Sequence, residues 1–245
     1  MFRIFTKIRK DMLKQNNFTK YLLYAIGEIV LVVIGILIAL NINNWNGERK
    51  ESKLELEILV GLSENVSNNT NMIKAMIRTD SMITVRNRVL LEVLQDPDAE
   101  YHDSLEVHFG GINRYDVFFP QRIAYETLRS KGFQIIKNDS IRNMIIELFD
   151  ETYLLNTHIT ELKKDIHINS NQVLTKRLFT LESIGRKTPV DFSALKNDTE
   201  FINTLAHITA ENENFLTYSQ IILERNIKVE EVLEREIRKR NNLVE

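Results

Sequence analysis

The stretch Tyr21–Leu40 places the strongest constraint on what this chain can fold into. Its 20 residues, YLLYAIGEIVLVVIGILIAL, are apolar almost throughout, and Glu28 is the only charged residue among them. As an α-helix, the stretch is long enough to cross the hydrocarbon core of a bilayer, which is about 30 Å thick. We therefore predict a transmembrane helix at residues 21–40.

Lys and Arg residues are distributed unequally on the two sides of this predicted span. Three follow it closely, at Arg49, Lys50 and Lys53, and six precede it: Arg3, Lys7, Arg9, Lys10, Lys14 and Lys20. Because basic residues stay on the cytoplasmic side of a membrane, this bias predicts a cytoplasmic N-terminus and a translocated body. A cleaved signal peptide is the alternative, but the apolar run is too long and Ala39-Leu40-Asn41 is not a small-x-small cleavage site.

Residues 1–20 have the composition of a basic, amphipathic, cytoplasmic leader with a net charge of +5. Their apolar residues recur near helical spacing: Phe2, Phe5, Ile8, Met12 and Leu13. One interpretation places this helix on the inner leaflet, with its bases near anionic membrane lipid. The other interpretation is that the charges serve only to orient the span.

The remainder of the chain is acidic. The whole chain has a net charge of −2, so the residues after the leader sum to −7. An acidic body argues against nucleic acid as a partner, because phosphate binding needs clustered Lys and Arg. The sequence contains no cysteine, which excludes disulfides, thiolate catalysis and Cys-based metal sites.

One face of the predicted span carries its unusual residues. At 100° per residue, Tyr21, Tyr24, Glu28, Gly35 and Ala39 lie within about 40° of one direction. Gly35 and Ala39 form a small-xxx-small pair, which lets a second helix approach closely. We predict that this face associates with a partner helix, from a second copy of the chain or from another membrane protein. A Glu28 that is merely tolerated in its protonated form, and a Glu28 that relays protons, are the alternatives.

Trp45 follows the span and has asparagines on both sides. An indole ring prefers the boundary between lipid and water. We therefore predict that Trp45 is an interfacial anchor.

The run KYLLYAIGEIVLVVIGILIALNINNWN, at residues 20–46, resembles the opening of a family of uncharacterised bacterial single-pass membrane proteins, known only as a domain of unknown function. The stretch FFPQRIAYETLRSKGFQIIKNDSIRNMI, at Phe118–Ile145, is similar more loosely. The resemblance implies a span in the bacterial inner (cytoplasmic) membrane and a helical domain at residues 41–245 on the periplasmic side. It implies no activity.

Apolar residues after the span repeat every three to four positions from Leu54 to Leu94, which predicts an amphipathic helix. Its Asn-rich middle, at residues 65–71, weakens helix propensity and marks a possible break. A polar connector with Pro97 follows. The segment Ser104–Phe119 is ambiguous, because Gly110-Gly111 fits either a hairpin turn or an interruption between short helices.

Two further helices are predicted in the middle of the chain. Pro120 opens a short helix, and Gly132 suits a left-handed cap at its end. Asn138 or Asp139 caps the next helix, which runs to about Leu178 because no Gly or Pro interrupts it.

A polar connector containing Gly185 and Pro189 precedes the last predicted helix. Asn197 is its predicted cap, with Glu200 at the third position, and its apolar repeat continues for about forty residues. The predicted fold class is therefore all-α, with one N-terminal transmembrane helix followed by an elongated up-and-down helical bundle.

Local motifs of known chemistry are absent from the sequence. There is no GxSxG, GxGxxG or P-loop motif, and none of the histidines forms an HxxxH or HExxH pair: His102, His108, His158, His167 and His207. The acidic connector lacks the Gly and Glu that a calcium loop needs at its sixth and twelfth positions. We therefore predict no cofactor, no metal site and no catalytic residue.

Aromatic residues crowd one corner of the sequence: Phe109, Tyr115, Phe118, Phe119, Tyr125 and Phe133. They fit either a ligand pocket or a plug that closes one end of the bundle, and we favour the plug.

These features favour a membrane-anchored binding, scaffold or sensor-like module that acts through protein partners, and not an enzyme. One alternative is a membrane subunit in which Glu28 relays protons or couples to a partner channel. The other is a periplasmic enzyme whose site is assembled in space and leaves no sequence motif.

Overall fold

The structure, a computed structural model, describes residues 18–182 and 185–242. The predicted leader thus lies outside the described residues up to position 17, and so do the side chains of Tyr21 and Tyr24. The contacts of the chain divide it into two compact units, Met1–Leu54 (unit 1) and Glu55–Glu245 (unit 2).

Helix α1 extends from Phe18 to Gln95, so its first part belongs to unit 1 and the rest to unit 2. In unit 1 it contains the predicted span. An 18-residue window there has a mean hydropathy of 2.6, and none of its residues is buried. Among the described residues, this helix is the one that is long and apolar enough to cross a membrane.

The Asn-rich part of α1 continues the helix without a break. The side-chain oxygen of Asn65 accepts a hydrogen bond from the Ala124 N–H (3.0 Å), and that of Asn69 accepts one from the Gln121 N–H (2.8 Å). These amides therefore satisfy backbone groups of a segment that lies against α1. Their tertiary role outweighs their weak helix propensity.

Short elements follow α1. They are a 3₁₀ turn (Asp103–Leu105), helix α2 (Glu106–Gly111), helix α3 (Ile123–Lys131) and a second 3₁₀ turn (Phe133–Ile135). Gly110 and Gly111 thus end a helix and do not form a hairpin turn. Gly132 follows α3 as predicted, with a φ of 101° that glycine adopts without strain.

Helix α4 (Asp139–Ile146), a π-helical turn (Glu147–Thr152) and helix α5 (Tyr153–Arg177) follow one another directly. Asn138 caps α4, because its side-chain oxygen accepts from the N–H groups of Ser140 (3.0 Å) and Ile141 (3.2 Å). One of the two predicted caps is therefore the observed one.

A small β-hairpin stands where the sequence predicts the end of a helix and a polar connector. Strand β1 (Leu178–Glu182) pairs with β2 (Arg186–Pro189) in antiparallel fashion. The Thr188 hydroxyl is 2.8 Å from the Tyr101 hydroxyl, and Arg186 pairs with Glu106. The hairpin depends on these tertiary contacts, which the local sequence pattern does not encode.

Helix α6 (Phe192–Leu195) and the 43-residue helix α7 (Thr199–Asn241) complete the chain. The prediction that Asn197 caps α7 is wrong. Asp198 is the cap, since its Oδ1 accepts from the Phe201 N–H (2.9 Å). Hydrogen bonds from Arg177 hold the pKa of the Asp198 carboxyl below its usual value, so the cap stays charged.

In unit 2, α1 and α5 run in the same direction. Asn69 of α1 contacts Tyr153 of α5, and Asp80 contacts Lys163, so residue numbers rise together on the two helices. The chain must therefore return between them.

The segment between α2 and α4 makes this return. Asn113 lies against His167, whereas the Phe118 carbonyl accepts from Asn156 Nδ2 (2.9 Å), so its residue numbers rise as those of α5 fall. Helix α7 is antiparallel to α1 as well, because its last turn meets the first residues of unit 2. The predicted all-α, up-and-down fold is confirmed, with a two-stranded hairpin added.

The close approach of α2 to the hairpin turn generates a prediction. A Cβ on Gly110 would lie 2.1 Å from the carbonyl oxygen of Gly185, which is a backbone atom. Gly110→Ala should therefore lower the free energy of unfolding by about 1–3 kcal/mol, because overpacking forces backbone shifts. Denaturant unfolding of the detergent-solubilised chain measures this change.

Gly111→Ala is the matched control, since its Cβ would meet only the Arg86 side chain, at 3.7 Å. Equal stabilities for the two variants would contradict the close packing of the hairpin against α2.

Candidate functional site

The predicted association face lies on an exposed stretch of α1. Glu28, Gly35 and Ala39 are all exposed there. A Cβ on Gly35 would meet no atom within 4 Å, so a neighbouring helix has room to approach. Trp45, the predicted interfacial anchor, is 63% exposed on the same helix.

In unit 2, four buried aromatic rings form a cluster that we call the aromatic centre: Phe118, Tyr125, Phe149 and Tyr153. The rings of Tyr125 and Phe149 are stacked, with centroids 4.5 Å apart. The Tyr153 ring is nearly perpendicular to the rings of both Phe149 (centroids 5.1 Å apart) and Phe118 (5.6 Å). Each residue is at most 2% exposed, so the cluster is a packed part of the core and not a ligand pocket.

The predicted aromatic corner is therefore only partly assembled. Phe118 and Tyr125 join the aromatic centre, and Phe133 lies beside it, 5.9 Å from the Tyr125 ring. Phe109 packs in a separate apolar cluster near the hairpin, and Phe119 is exposed. Phe149 and Tyr153, which the sequence analysis did not single out, complete the cluster.

The hydroxyl of Tyr153 connects the aromatic centre to the two helices on either side of α5. It accepts a hydrogen bond from Asn69 Nδ2 of α1 (3.0 Å) and donates to the Asn226 side-chain oxygen of α7. All three side chains are buried, and burial raises the pKa of the Tyr153 phenol. The group is therefore a neutral structural contact and not a base.

This contact continues through α7 to the surface. Asn226 Nδ2 donates to the Thr70 hydroxyl (2.7 Å), which donates to the Glu230 carboxylate (2.7 Å). The buried amide and hydroxyl groups of this layer are thus satisfied by one another.

Tyr125 carries the second phenol of the aromatic centre. Its hydroxyl donates to the Asp150 carboxylate (2.5 Å), and Arg122 also contacts Asp150 (3.3 Å). Burial raises the pKa of the Tyr125 phenol, and the hydrogen bond to Asp150 adds to this shift. The arrangement anchors the start of α3 to the π-helical turn.

A buried ion pair lies further along the same core. Lys163 of α5 pairs with Asp80 of α1, and both side chains are at most 5% exposed. The ammonium group also donates to the Asp116 carbonyl (3.3 Å) and lies 5.7 Å from the centre of the Phe215 ring of α7. Lys163 of α5 therefore contacts α1, the segment between α2 and α4, and α7.

Two polar side chains in this core have no hydrogen-bond partner among the described residues. They are the amide of Asn87 and the hydroxyl of Ser219. The core of unit 2 therefore contains polar groups besides those of the ion pair and the hydrogen-bonded layer.

The end of unit 2 near Glu55 is closed by a third polar contact. The buried Glu55 carboxylate accepts two hydrogen bonds from Arg240 (2.7 and 2.8 Å) and one from the Lys137 N–H (2.8 Å). This bidentate pair raises the pKa of Arg240. It joins the first turn of unit 2 to the last turn of α7.

The clefts of unit 2 offer little chemistry. One of about 400 Å³ lies between α5 and α7, where His207 is present but Glu200 is paired with Arg177. Another, of about 170 Å³, lies beside the π-helical turn and is lined by Glu147 and Arg225 among others. Within residues 18–182 and 185–242, no group of three or more His, Asp or Glu residues could hold a metal ion.

The buried ion pair generates a prediction about stability. Asp80→Leu with Lys163→Met should raise the free energy of unfolding by about 1–4 kcal/mol, because two desolvated charges are replaced by apolar contacts. Either substitution alone should lower it by about 3–5 kcal/mol, since one buried charge is left unpaired. Denaturant unfolding of the four proteins measures both effects.

The pH dependence of this difference follows from Asp80. Burial raises the pKa of Asp80 above its usual 3.8, so the folded state holds this proton more tightly than the unfolded chain does. The stability gap between the double variant and the wild type should therefore narrow as the pH falls through the folded pKa. A gap that widens on acidification would contradict this assignment.

Residues 28–213 of the chain match the family of unknown function DUF6090. The matched range begins at Glu28, includes the aromatic centre and ends within α7. No curated protein and no solved structure matches the chain. Because the match covers well over half of the sequence, the chain belongs to this family of unknown function.

Proposed function

We propose that this protein is a membrane-anchored helical module that acts by binding protein partners. The observation that carries the proposal is the apolar part of α1. Its large side chains from Leu22 to Leu40 are 47–74% exposed, and no residue of the most apolar window is buried. In water, this exposure costs about 25 cal/mol per Å² of apolar surface, whereas in lipid it carries no such cost.

The orientation belongs to the same proposal. The six bases before the span support a cytoplasmic N-terminus and a unit 2 on the periplasmic side of a bacterial inner membrane. Trp45 then lies at the outer interface, and the basic leader lies near anionic lipid of the inner leaflet.

The packing of unit 2 supports a binding role rather than catalysis. The phenols of Tyr125 and Tyr153 have raised pKa values, and the buried ion pair contacts α1, α5, α7 and the segment between α2 and α4. These groups therefore serve the fold. Its long helices instead present wide solvent-exposed faces. Surfaces of this kind suit protein partners.

The partner in the membrane is a second transmembrane helix. We assign its docking face to Tyr21, Tyr24, Glu28, Gly35 and Ala39. The small residues permit close helix packing, and a carboxyl or hydroxyl group gains more from a partner helix than from lipid. A second copy of the chain and a helix of another protein both satisfy this chemistry.

Gly35→Leu should reduce association of the full chain in membranes at least several-fold, because the larger side chain separates the helices. Gly27→Leu is the matched control, since Gly27 lies about 80° away from Gly35 around the helix and has equal room for a Cβ. Chemical crosslinking in native membranes measures the yield of the assembly.

Equal crosslinking of the two variants, or a wild type that yields only monomer, would overturn the association face. Glu28→Gln separates packing from proton transfer at the same position. Loss of the assembly points to packing, whereas an intact assembly with lost cellular activity favours the proton relay.

A further inference from the structure

Two polar layers cross the core of unit 2, and each connects the same three helices. The first layer joins Asn69, Tyr153 and Asn226 by hydrogen bonds. The second layer joins Asp80 and Lys163 as an ion pair, and the Lys163 ammonium also lies over the ring of Phe215. The layers take one residue each from α1, α5 and α7.

The spacing of the layers is nearly the same on every helix. It is 11 residues on α1, 10 on α5 and 11 on α7, as the positions of the contacting residues give. At a rise of 1.5 Å per residue this is about 16 Å along the bundle. The three helices are therefore held in one axial register at two separate heights.

Apolar packing alone does not distinguish registers strongly, because Leu, Ile and Val recur at every turn of these helices and can replace one another in contact. A slide of α5 by one turn, about 5.4 Å, would instead separate Lys163 from Asp80 and Tyr153 from Asn226. The slid state would contain two unpaired buried charges and unsatisfied buried amides. The polar layers therefore discriminate against it.

We propose that the two polar layers form a register lock, in which each layer alone is sufficient to fix the axial position of α5 against α1 and α7. The lock goes beyond the proposed binding role. It explains why the core retains a buried ion pair that apolar residues could replace. It also keeps the exposed faces of the long helices in one arrangement.

The absence of native cysteine allows the register to be read by crosslinking. Arg177 of α5 pairs with the exposed Glu200 of α7, so cysteines at these positions report the native register of α5. Cysteines at Arg177 and Thr204, one turn further along α7, report a shifted register. A short bismaleimide is the probe, applied to the full chain in lipid nanodiscs.

Each reporter pair is placed in four backgrounds: the wild type, Asp80→Leu/Lys163→Met, Tyr153→Phe/Asn226→Leu, and all four substitutions together. The second background retains the hydrogen bonds of Asn69 to Gln121 and of Thr70 to Glu230. The first three proteins should give only the native crosslink. The fourth should stay helical by circular dichroism and give the shifted product at a yield within about threefold of the native one.

A fourth protein that gives only the native crosslink would overturn the proposal, because apolar packing would then fix the register. A shifted product in either single-layer background would show that one layer is not sufficient. A fourth protein without helical structure would also contradict the lock, since the layers would then be required for folding itself.

Discussion

The hydroxyl of Tyr153 is a contact at which three long helices of unit 2 meet. It accepts from Asn69 of α1 and donates to Asn226 of α7, so one buried oxygen joins three long helices. The same ring packs against Phe118 and Phe149, which brings the return segment and the π-helical turn to this point. Loss of the hydroxyl would leave the buried side-chain oxygen of Asn226 without its donor, at about 1–3 kcal/mol. In the proposed register lock, polar contacts of this kind fix the axial position of α5.

The apolar part of α1 imposes a different constraint. Its side chains are exposed on the helix, and the hydrophobic effect opposes such exposure in water. The proposed function follows from this conflict, because a bilayer resolves it and also limits the ways in which the helix can meet partners. The membership in a family of unknown function adds no activity to this picture. Two proposals can be tested instead: helix association at the exposed face around Gly35, and the register lock of the bundle.

The helical fold could be predicted because it follows from local signals. Apolar repeats mark α1, α5 and α7, Asn138 marks the start of α4, and Gly132 marks the end of α3. Other features depend on contacts that are distant in sequence. The hairpin is held by Tyr101 and Glu106, some eighty residues away, and no local pattern reports such contacts.

The polar core was missed for a related physical reason. In the sequence pattern, Asp80 and Lys163 cannot be distinguished from solvent-facing residues on amphipathic helices. Only the assembled bundle shows that each one neutralises the other. The cap of α7 was misplaced by one residue. Asn197 and Asp198 are both good caps, and the pairing of Asp198 with Arg177 decides between them.

We propose above all that the helix at residues 21–40 crosses a membrane with unit 2 outside the cytoplasm. Because the chain has no cysteine, single cysteines at Lys7 and at the exposed Ser193 can be labelled without background. A membrane-impermeant maleimide is added to intact cells whose outer membrane has been made permeable. We expect Ser193→Cys to be labelled at once and Lys7→Cys to be labelled only after lysis. Labelling in the opposite order, or of neither residue before lysis, would contradict this topology.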